Sequence, residues 1–376
     1  MTARPRDLQL TDAPGAVRPG EELPLAPLAG WLRRALAAAG EPAPAAAPLE
    51  VLQFRQGYSN LTYLLRLGDR ELVLRRPPVG SRVATAHDMG REHRILSRLW
   101  RVFPLAPRAL AACEDPSLLG GPFYVMERIP GVILRSRVPA GLELSAERAA
   151  ALGESFVATL VALHQADRER AGLADLGRPQ GYVARQVQGW SERWRHARGE
   201  PVPAIDALVD WLEEHRPQER GAALVHNDFK LDNLVLDPAA PSRIRGVLDW
   251  EMATVGDPWM DLGTALGYWV EATDPEPLRR LAFGPTHLPG MPRRREIAQR
   301  YAQLAASSTD PLTAAAALRD LPFYYAFGLF KIAVIAQQIY VRFARGSTRD
   351  ERFAALPFAV RALGWMALQA AEIGEV

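Results

Sequence analysis

One polar segment constrains this chain more than any other. Residues 226–233 read His-Asn-Asp-Phe-Lys-Leu-Asp-Asn, and Asp249 follows one apolar run later, in the triplet Asp-Trp-Glu. Phosphoryl transfer needs a carboxylate that orients the attacking hydroxyl, a cation beside the moving phosphoryl group, and an amide oxygen and a second carboxylate on Mg²⁺. Asp228, Lys230, Asn233 and Asp249 supply these groups in that order. The pattern predicts Asp228 and Lys230 as catalytic residues and Asn233 and Asp249 as metal ligands.

The flanking sequence predicts a rigid support for this loop. Short apolar runs lie on either side of it, at 224–225 and 234–236, and a third at 244–248 precedes Asp249. Short buried strands would position catalytic side chains better than a free loop can. A polar loop without chemistry, in which His226 is a satisfied core histidine, is the alternative interpretation.

The rest of the chain divides into a front rich in strand patterns and a back rich in helix patterns. Alternating apolar runs predict five strands, at 51–55, 61–67, 71–75, 110–114 and 123–129. Helical patterns are found at 25–39, 85–100, 146–164, 205–215 and throughout the chain after residue 261. This indicates an α+β fold in two lobes, with one helix inserted after the third strand of the sheet.

These motifs together resemble a known family. The pattern H-x-D-x-x-x-x-N followed by Asp-Trp-Glu is similar to the catalytic loop and metal-binding aspartate of kinases. The longer segment 225–261, which ends in Gly-Asp-Pro-Trp-Met-Asp, more specifically resembles the aminoglycoside phosphotransferase and choline kinase family. Within it, the nearest members are phosphotransferase domains found alone in bacteria or fused to some acyl-CoA dehydrogenases. The resemblance covers about residues 17–360. These domains usually carry glycine in place of Asn227, a position expected to bear no chemistry.

The resemblance implies a bilobal protein-kinase-like fold. A small antiparallel-sheet lobe would bind ATP, and a larger, mainly helical lobe would hold the catalytic groups and the acceptor. The predicted boundaries are a mobile tail at 1–22, an N-terminal lobe at 23–129 and a C-terminal lobe at 130–376.

Two places in the front lobe are expected to hold ATP. Ser59 and Asn60 end a short turn between the first two strands, and similar turns in related phosphotransferases suggest a phosphate contact. A simple hairpin turn would leave the same pattern. At the end of the fifth strand, the backbone of Glu127 and Ile129 is expected to hydrogen-bond adenine, as the resembling fold does at its linker.

The third strand of this fold carries a lysine that holds the α- and β-phosphates and pairs with a helix glutamate. Here the strand ends in Leu-Arg-Arg, and Arg75 matches that lysine in register. Because successive side chains of a strand point to opposite faces, only one of Arg75 and Arg76 can face the cleft. Glu92 is the expected partner since it shares a helix stripe with Ile95 and Leu96. An exposed surface charge at Glu92 is the alternative.

Three other polar residues are interpreted as structural. His226 is expected to pack the catalytic loop rather than transfer protons. Asp261 resembles the family's second structural carboxylate, which hydrogen-bonds the catalytic loop backbone. His164 belongs to a Leu-His-x-x-Asp pattern on a helix and is expected to satisfy a backbone group.

Composition excludes several other classes of protein. Forty-five Lys plus Arg and 43 Asp plus Glu leave a net charge of +2, without the clustered excess base of a nucleic-acid-binding protein. The single cysteine, Cys113, allows neither an internal disulfide nor a cysteine metal cluster. No signal peptide is evident, and Lys331 interrupts the apolar stretch 321–341, which favours a core helix over a membrane span. A cytoplasmic protein without nucleic-acid or membrane partners is expected, and the sequence does not indicate its oligomeric state.

The acceptor is the least constrained part of the prediction. From 261 to 376 there are 13 Lys plus Arg and 11 Asp plus Glu, whereas a polycationic aminoglycoside would favour an acidic excess. Lys331, in an apolar helix, should need a carboxylate or an anionic ligand. With the arginine run 293–295, it favours a neutral or anionic acceptor with an apolar part. A solvated surface loop is the alternative for the arginine run. The resemblance to dehydrogenase-fused domains implies a hydroxylated acyl compound such as a hydroxyacyl-CoA.

Several functions therefore remain open from the sequence. The first is an ATP- and Mg²⁺-dependent kinase for a small hydroxylated acceptor. A pseudokinase that binds nucleotide without turnover is favoured only by the missing third-strand lysine, and an antibiotic phosphotransferase is the other alternative. A protein kinase is disfavoured because the glycine-rich loop and the Ala-Pro-Glu element are missing.

Overall fold

The computed structural model describes residues 12–41, 47–54, 60–78, 88–197, 199–280, 282–306, 311–346 and 351–376. In this part of the chain strands dominate up to residue 127 and helices dominate from residue 146 onward. This separation confirms the predicted α+β class.

The front of the chain forms one antiparallel sheet in the order β1-β2-β3-β5-β4. Its strands are Leu49–Phe54 (β1), Leu61–Leu67 (β2), Arg70–Arg76 (β3), Ala109–Cys113 (β4) and Phe123–Glu127 (β5). The turn between β2 and β3 contains Gly68 at a φ of 63°, a left-handed conformation that glycine adopts without strain. Thr62 pairs with Arg75 across β2 and β3, which fixes the face on which each arginine lies.

Helices cover both faces of this sheet. They are Leu25–Ala38 (α1), Met89–Leu99 (α2) and Pro116–Leu119 (α3). Leu28, Leu32 and Leu36 of α1 lie on one face in a hydrophobic cluster of their own. The opposite face packs with α2 and is continuous with the core of the helical region. Asp88 caps α2 by accepting a hydrogen bond from the Arg91 N–H, so the first turn of α2 is fixed beside the cleft.

The back of the chain is mainly helical. Its helices are Ala146–His164 (α4), Tyr182–Ala197 (α5), Pro203–Glu214 (α6), Pro258–Tyr268 (α7), Glu276–Arg279 (α8), Arg294–Ala305 (α9), Pro311–Arg319 (α10), Leu321–Ala344 (α11) and Leu356–Ile373 (α12). The prediction of helix throughout the chain after residue 261 was wrong for 269–293, which is mostly irregular with one four-residue helix. Five prolines in this stretch explain the difference, because proline breaks a helix interior.

Two small sheets enclose the predicted catalytic loop. Their strands are Val132–Ile133 (β6), Ala223–Val225 (β7), Leu234–Leu236 (β8), Ile244–Val247 (β9) and Thr254–Gly256 (β10). β7 pairs with β10, and β8 lies between β6 and β9. The loop at 226–233 is therefore anchored in a different sheet at each end.

Residues 12–22, the described part of the predicted tail, lie along the front sheet. Gly15 forms a bridge with Gln53 of β1, and the Tyr63 hydroxyl donates to the Glu21 carbonyl oxygen at 2.8 Å. The Asp12 N–H donates to the Gly131 carbonyl oxygen at 3.1 Å. This segment thus bridges the sheet and the chain that follows β5.

Two helical segments, α11 and Glu351–Ile373, are long and apolar enough to cross a membrane by length and composition alone. In the most apolar window of α11, 61% of the residues are buried inside the fold, compared with 33% in the second segment. The apolar character of α11 is therefore explained by its central place in the core, against α7 and α12.

Close packing of α7 and α11 depends on two glycines. A Cβ added at Gly328 would lie 2.1 Å from the Gly263 carbonyl oxygen, and one added at Gly263 would lie 2.2 Å from the Tyr324 carbonyl oxygen. The two backbones therefore touch directly. Since backbone cannot move aside as a flexible side chain can, neither position has room for a methyl group.

We expect Gly328→Ala to lower the free energy of unfolding by about 1 to 3 kcal/mol or more, because overpacking must push α7 and α11 apart. Gly30→Ala in α1 is the matched control. Its nearest atom is an arginine side-chain nitrogen at 3.6 Å, and alanine is the better helix former. Urea unfolding measures both, and equal losses of stability in the two variants would contradict the packing argument.

Candidate active site

The loop that carries the phosphotransferase motif is held from below by a buried carboxylate. The Asp261 side chain, in the first turn of α7, accepts hydrogen bonds from the backbone N–H groups of His226 (2.6 Å) and Asn227 (2.7 Å). Burial raises the pKa of Asp261, but the hydrogen bonds from His164 and from the His226 backbone N–H help to outweigh it and leave the pKa below its ordinary value. Asp261 is thus an anion that fixes the start of the loop, the support role that the resemblance implied.

His164 supports that carboxylate from α4. One ring nitrogen lies 3.0 Å from Asp261 Oδ2 and the other 2.7 Å from the Tyr301 hydroxyl. The sequence interpretation had a backbone group as the partner of His164. The structure instead gives it two side chains, Asp261 of α7 and Tyr301 of α9.

Asn227 adopts a left-handed conformation with a φ of 65°. Asparagine is among the few residues besides glycine that tolerate this region, which explains why this position accepts it. Its side chain also accepts a hydrogen bond from the Tyr182 hydroxyl at 3.1 Å and donates to the Met252 carbonyl oxygen at 3.2 Å. Asn227 is therefore a structural anchor of the loop.

His226 packs inside the loop. Its Nε2 lies 3.0 Å from the Leu248 carbonyl oxygen, and its Nδ1 accepts from the Asp228 N–H at 3.2 Å. The ring is fully buried, and burial lowers its pKa. A neutral imidazole that donates at Nε2 and accepts at Nδ1 satisfies both contacts.

The structure brings three of the predicted residues together above this support. Lys230 Nζ lies 2.8 Å and 3.0 Å from the two carboxylate oxygens of Asp228, and Asn233 Nδ2 donates to Asp228 Oδ2 at 2.9 Å. Burial by itself would raise the pKa of Asp228, but Lys230 and the neighbouring Tyr268 hydroxyl lower it below its ordinary value. Asp228 is therefore an ionised hydrogen-bond acceptor.

Two aromatic residues near Lys230 are not indicated by the sequence. The Lys230 Nζ lies 4.7 Å from the ring centroid of Tyr268 and 5.0 Å from that of Phe283, so two aromatic faces enclose the ammonium. Asp232 lies 3.9 Å away, and burial raises its pKa to about 6 although Lys230 lowers it. Only Asp232, next to Asn233 in the motif, could have been picked out from sequence.

Asp249, the other predicted metal ligand, follows the end of β9 by two residues. Its backbone has a φ of 68°, and its side chain is 31% exposed. Arg75 Nη2 donates to its Oδ1 at 3.0 Å. The carboxylate is thus held at one oxygen and still reachable from the cleft.

Arg75 also pairs with Glu92, as the strand register and the helix stripe predicted. Its Nη1 lies 2.5 Å from Glu92 Oε1, and the Glu92 side chain is 1% exposed, which excludes the surface-charge alternative. Burial opposes the charge of Arg75, but Glu92 and the other nearby carboxylates leave its pKa well above the ordinary value. Arg76 is also buried, on the opposite face of the sheet.

Two front-lobe residues, Asn60 and Arg91, contact the chain at residues 251–253. Asn60 Nδ2 donates to Glu251 Oε2 at 3.0 Å, and Arg91 of α2 donates to the backbone carbonyl oxygens of Glu251 and Ala253 at 3.1 and 2.6 Å. Asn60 therefore lies near the predicted site. Ser59 lies outside the described residues.

The predicted adenine contacts lie where β5 ends. The Glu127 N–H already donates to the Arg108 carbonyl oxygen at 2.9 Å, so this N–H cannot also bind adenine. Ile129 packs its side chain against Gly246 of β9, where an added Cβ would come within 2.6 Å of it. The backbone of these residues lies along the chain that joins the sheet to the helical region.

Two observations concern the basic residues, Lys331 and the arginine run 293–295, from which a neutral or anionic acceptor was predicted. Lys331 is 1% exposed, and its Nζ bonds the Asn227 carbonyl oxygen at 2.6 Å, not a carboxylate or a ligand. Arg294 is buried in a two-point ion pair with Asp274 at 2.6 and 2.8 Å. The expected carboxylate or anionic ligand of Lys331 is thus replaced by a backbone carbonyl, and the arginine run does not act as a unit, because Arg293 and Arg295 are exposed while Arg294 is buried.

Comparison with known proteins places this geometry in a family. A sequence model described as the phosphotransferase enzyme family matches residues 50–297. Acyl-CoA dehydrogenase family member 10 of Mus musculus is 36% identical over 300 residues, which cover 80% of this chain and only 27% of the mouse protein.

Solved structures share the architecture. A protein of Ralstonia eutropha JMP134, provisionally described as an aminoglycoside phosphotransferase, is 30% identical with a TM-score of 0.74, and the match covers 94% of this chain and 99% of that one. A thermostable mutant of aminoglycoside phosphotransferase APH(4)-Ia, in complex with AMP-PNP and hygromycin B, is 17% identical with a TM-score of 0.54 over 86% of this chain and 94% of its own. The chain belongs to the phosphotransferase enzyme family and has its protein-kinase-like fold.

Proposed function

We propose that this protein is a small-molecule kinase that uses ATP and Mg²⁺ to phosphorylate a hydroxyl group of an acyl compound, such as a hydroxyacyl-CoA. One observation carries the proposal. Asp228, Lys230 and Asn233 form a single hydrogen-bonded cluster, and Asp249 faces the same cleft, tied to Arg75. These are the parts that phosphoryl transfer requires.

Asp228 is the residue that would receive the acceptor. An ionised carboxylate accepts the hydroxyl hydrogen bond and aims the oxygen at the phosphorus. Because its pKa is lowered, its main contribution is orientation, with the proton moving late in the transfer. Lys230 keeps Asp228 ionised and places a positive charge where the transferred phosphoryl group gathers negative charge.

Asn233 and Asp249 fit a magnesium site. The Asn233 amide nitrogen donates to Asp228, which leaves the amide oxygen as its coordinating atom, and the Asp249 carboxylate is accessible. Among the described residues no group of three or more His, Cys, Asp or Glu side chains could hold a metal ion by itself. This suits Mg²⁺, which commonly takes one or two protein ligands and completes its shell with phosphate and water. When bound, the ion neutralises phosphate charge.

Arg75 fits the role of the lysine on the third strand. Its guanidinium is held by Glu92, so it is positioned before nucleotide arrives. A planar fork can keep the carboxylate on one edge and offer the other to phosphate. A solved relative in complex with AMP-PNP supports ATP as the phosphoryl donor.

An apolar cavity supports an acceptor with an apolar part. It has a volume of about 60 Å³, and its walls include Tyr268 and Phe283, the two rings that enclose Lys230. Other wall residues are Leu278, Leu329 and Ile332. An aliphatic chain suits this wall better than a polycationic aminoglycoside does. The match to an acyl-CoA dehydrogenase family member supports the acyl class.

The decisive experiment incubates the protein with Mg²⁺, γ-labelled ATP and a panel of hydroxyacyl-CoA thioesters, simple alcohols, aminoglycosides and macrolides. Mass spectrometry should find a phosphate added to a hydroxyacyl compound. Nucleotide binding without transfer to any compound would favour a pseudokinase, and phosphorylation of an antibiotic alone would contradict the acyl assignment.

We expect Asp228→Asn to lower turnover at least about a hundredfold and to leave ATP affinity nearly unchanged, because the carboxylate acts on the acceptor and not on the nucleotide. Steady-state kinetics and ATP titration measure the two effects. Asp210→Asn, an exposed residue of α6, controls for the loss of a charge. Turnover near the wild-type rate in Asp228→Asn would remove this residue from the reaction.

Metal dependence should separate the two proposed ligands. Asn233→Ala and Asp249→Ala should each raise the Mg²⁺ concentration needed for half-maximal activity, with the larger increase for Asp249→Ala because its ligand is charged. A Mg²⁺ titration at fixed ATP measures this. An unchanged titration curve for Asp249→Ala would show that Asp249 is not a ligand.

The two arginines at the end of β3 test the front of the site. Arg75→Ala should weaken ATP binding by roughly 1 to 3 kcal/mol, the range for a lost charge-assisted hydrogen bond, and Arg75→Lys should lose less. Arg76→Ala, on the other face of the sheet, is the matched control and should bind ATP almost as tightly as the wild type. Calorimetric titration compares them, and a larger loss in Arg76→Ala would reverse the assignment.

A further inference from the structure

Lys331 is a buried cation that the proposed mechanism does not use. The chain contains only two lysines among 45 basic residues, and both lie at the same loop. Lys230 contacts Asp228 from the cleft, whereas Lys331 approaches from α11, inside the core. A buried ammonium is costly unless it is bonded, so its partner indicates what it does.

The partner is the backbone of the residue before Asp228. Lys331 Nζ donates to the Asn227 carbonyl oxygen at 2.6 Å and lies 3.5 Å from Asn227 Oδ1. The ring of Trp190 lies beneath, with its centroid 5.6 Å from Nζ. These contacts satisfy the ammonium within the protein.

The bonded carbonyl belongs to the peptide that joins Asn227 to Asp228. On the other edge of the same planar unit, the Asp228 N–H donates to His226 Nδ1 at 3.2 Å. A trans peptide is rigid, so holding its oxygen and its N–H together fixes the plane and the direction of the next Cα–Cβ bond. The left-handed φ of Asn227 presents this carbonyl to the core.

We propose that Lys331 is a positioning residue that sets the orientation of the Asp228 carboxylate by clamping the Asn227–Asp228 peptide from beneath. The inference rests on the proposed function, because it gives Asp228 its role at the acceptor hydroxyl. It concerns a residue that touches neither nucleotide nor acceptor.

Lysine suits this position better than arginine. The site offers one carbonyl oxygen, an amide oxygen and a ring face, which a compact ammonium can satisfy. A guanidinium would bring five N–H donors to the same place. In a chain with 43 arginines, a lysine here is chemically specific.

The charge of Lys331 also depends on pH within the assay range. Burial lowers its pKa from the ordinary 10.5 to about 8, although nearby carboxylates raise it. Between these values the unfolded chain binds more protons, so the contribution of Lys331 to stability rises with pH from about 8 to about 10.5. The charged groups that influence it are Asp261, Asp228, Lys230 and Arg193.

The two-lysine composition gives a direct test that does not require activity. Protein labelled with ¹³C at lysine Cε should show two NMR signals, one of which titrates near pH 8 and is missing in Lys331→Met. The remaining Lys230 signal should shift in Lys331→Met, because the loop moves. Lys230→Met gives the same assignment if Lys331→Met folds poorly.

The control is Gln337→Met on the same helix. Gln337 is buried, and its Nε2 donates to the Ala197 carbonyl oxygen at 3.1 Å, so its loss also leaves a core carbonyl unpaired, but away from the loop. A Lys230 signal that is identical in Lys331→Met and in the wild type, or that shifts equally in both variants, would overturn the proposal.

The kinetic test uses Mg²⁺-dependent ATP turnover. Lys331→Met should lower kcat on the order of tenfold to a hundredfold with little change in KM for ATP. In the wild type, activity should fall as Lys331 loses its proton near pH 8, and this fall should be missing in Lys331→Met. Gln337→Met should keep the wild-type kcat and the wild-type dependence of activity on pH. A wild-type kcat in Lys331→Met would overturn the positioning role. Absence of turnover in the wild-type protein would instead refute the proposed function, and the NMR comparison would then decide whether Lys331 holds the Asn227–Asp228 peptide.

Discussion

The geometry of the site depends on one buried anion. Asp261 receives two consecutive backbone N–H groups at the point where β7 ends and the catalytic loop begins. Without this acceptor, two donors would be left unpaired in a dry core, a cost comparable to that of a lost hydrogen bond each. His164 of α4 bonds this carboxylate and is itself bonded to Tyr301 of α9, so three helices, α4, α7 and α9, are linked to the beginning of a short loop.

Much of the site could be read from sequence because phosphoryl transfer fixes residue types at fixed spacing. The cluster around Asp228 follows from a five-residue gap that a single loop can span. The orientation of Arg75 follows from the two-residue period of a strand, and that of Glu92 from an apolar helix stripe. Each of these predictions used a spacing or periodicity between residues that are close in sequence, which tertiary contacts do not change.

The predictions that failed concern contacts for which the nearby sequence contains no pattern. The partners of Lys331 and Arg294 come from segments about a hundred and about twenty residues away, and composition does not encode such contacts. The aromatic enclosure of Lys230 joins Tyr268 on α7 to Phe283 in a proline-rich stretch that the sequence predicted as helix. The requirement for a residue that tolerates positive φ at Asn227 is also visible only from its backbone angle.

In the six residues from Leu248 to Ala253, alternate positions contact two different parts of the molecule. Three of them contact the catalytic loop. The Leu248 carbonyl oxygen bonds His226, and the Trp250 ring centroid lies 4.7 Å from that of the same histidine. The Met252 carbonyl oxygen bonds Asn227. The residues between them, Asp249, Glu251 and Ala253, meet Arg75, Asn60 and Arg91 of the front sheet and its helix. Alternate positions thus serve opposite halves of the molecule. Inserting or deleting one residue here would exchange the two sets of partners, so the length of this segment is constrained independently of the identity of its side chains.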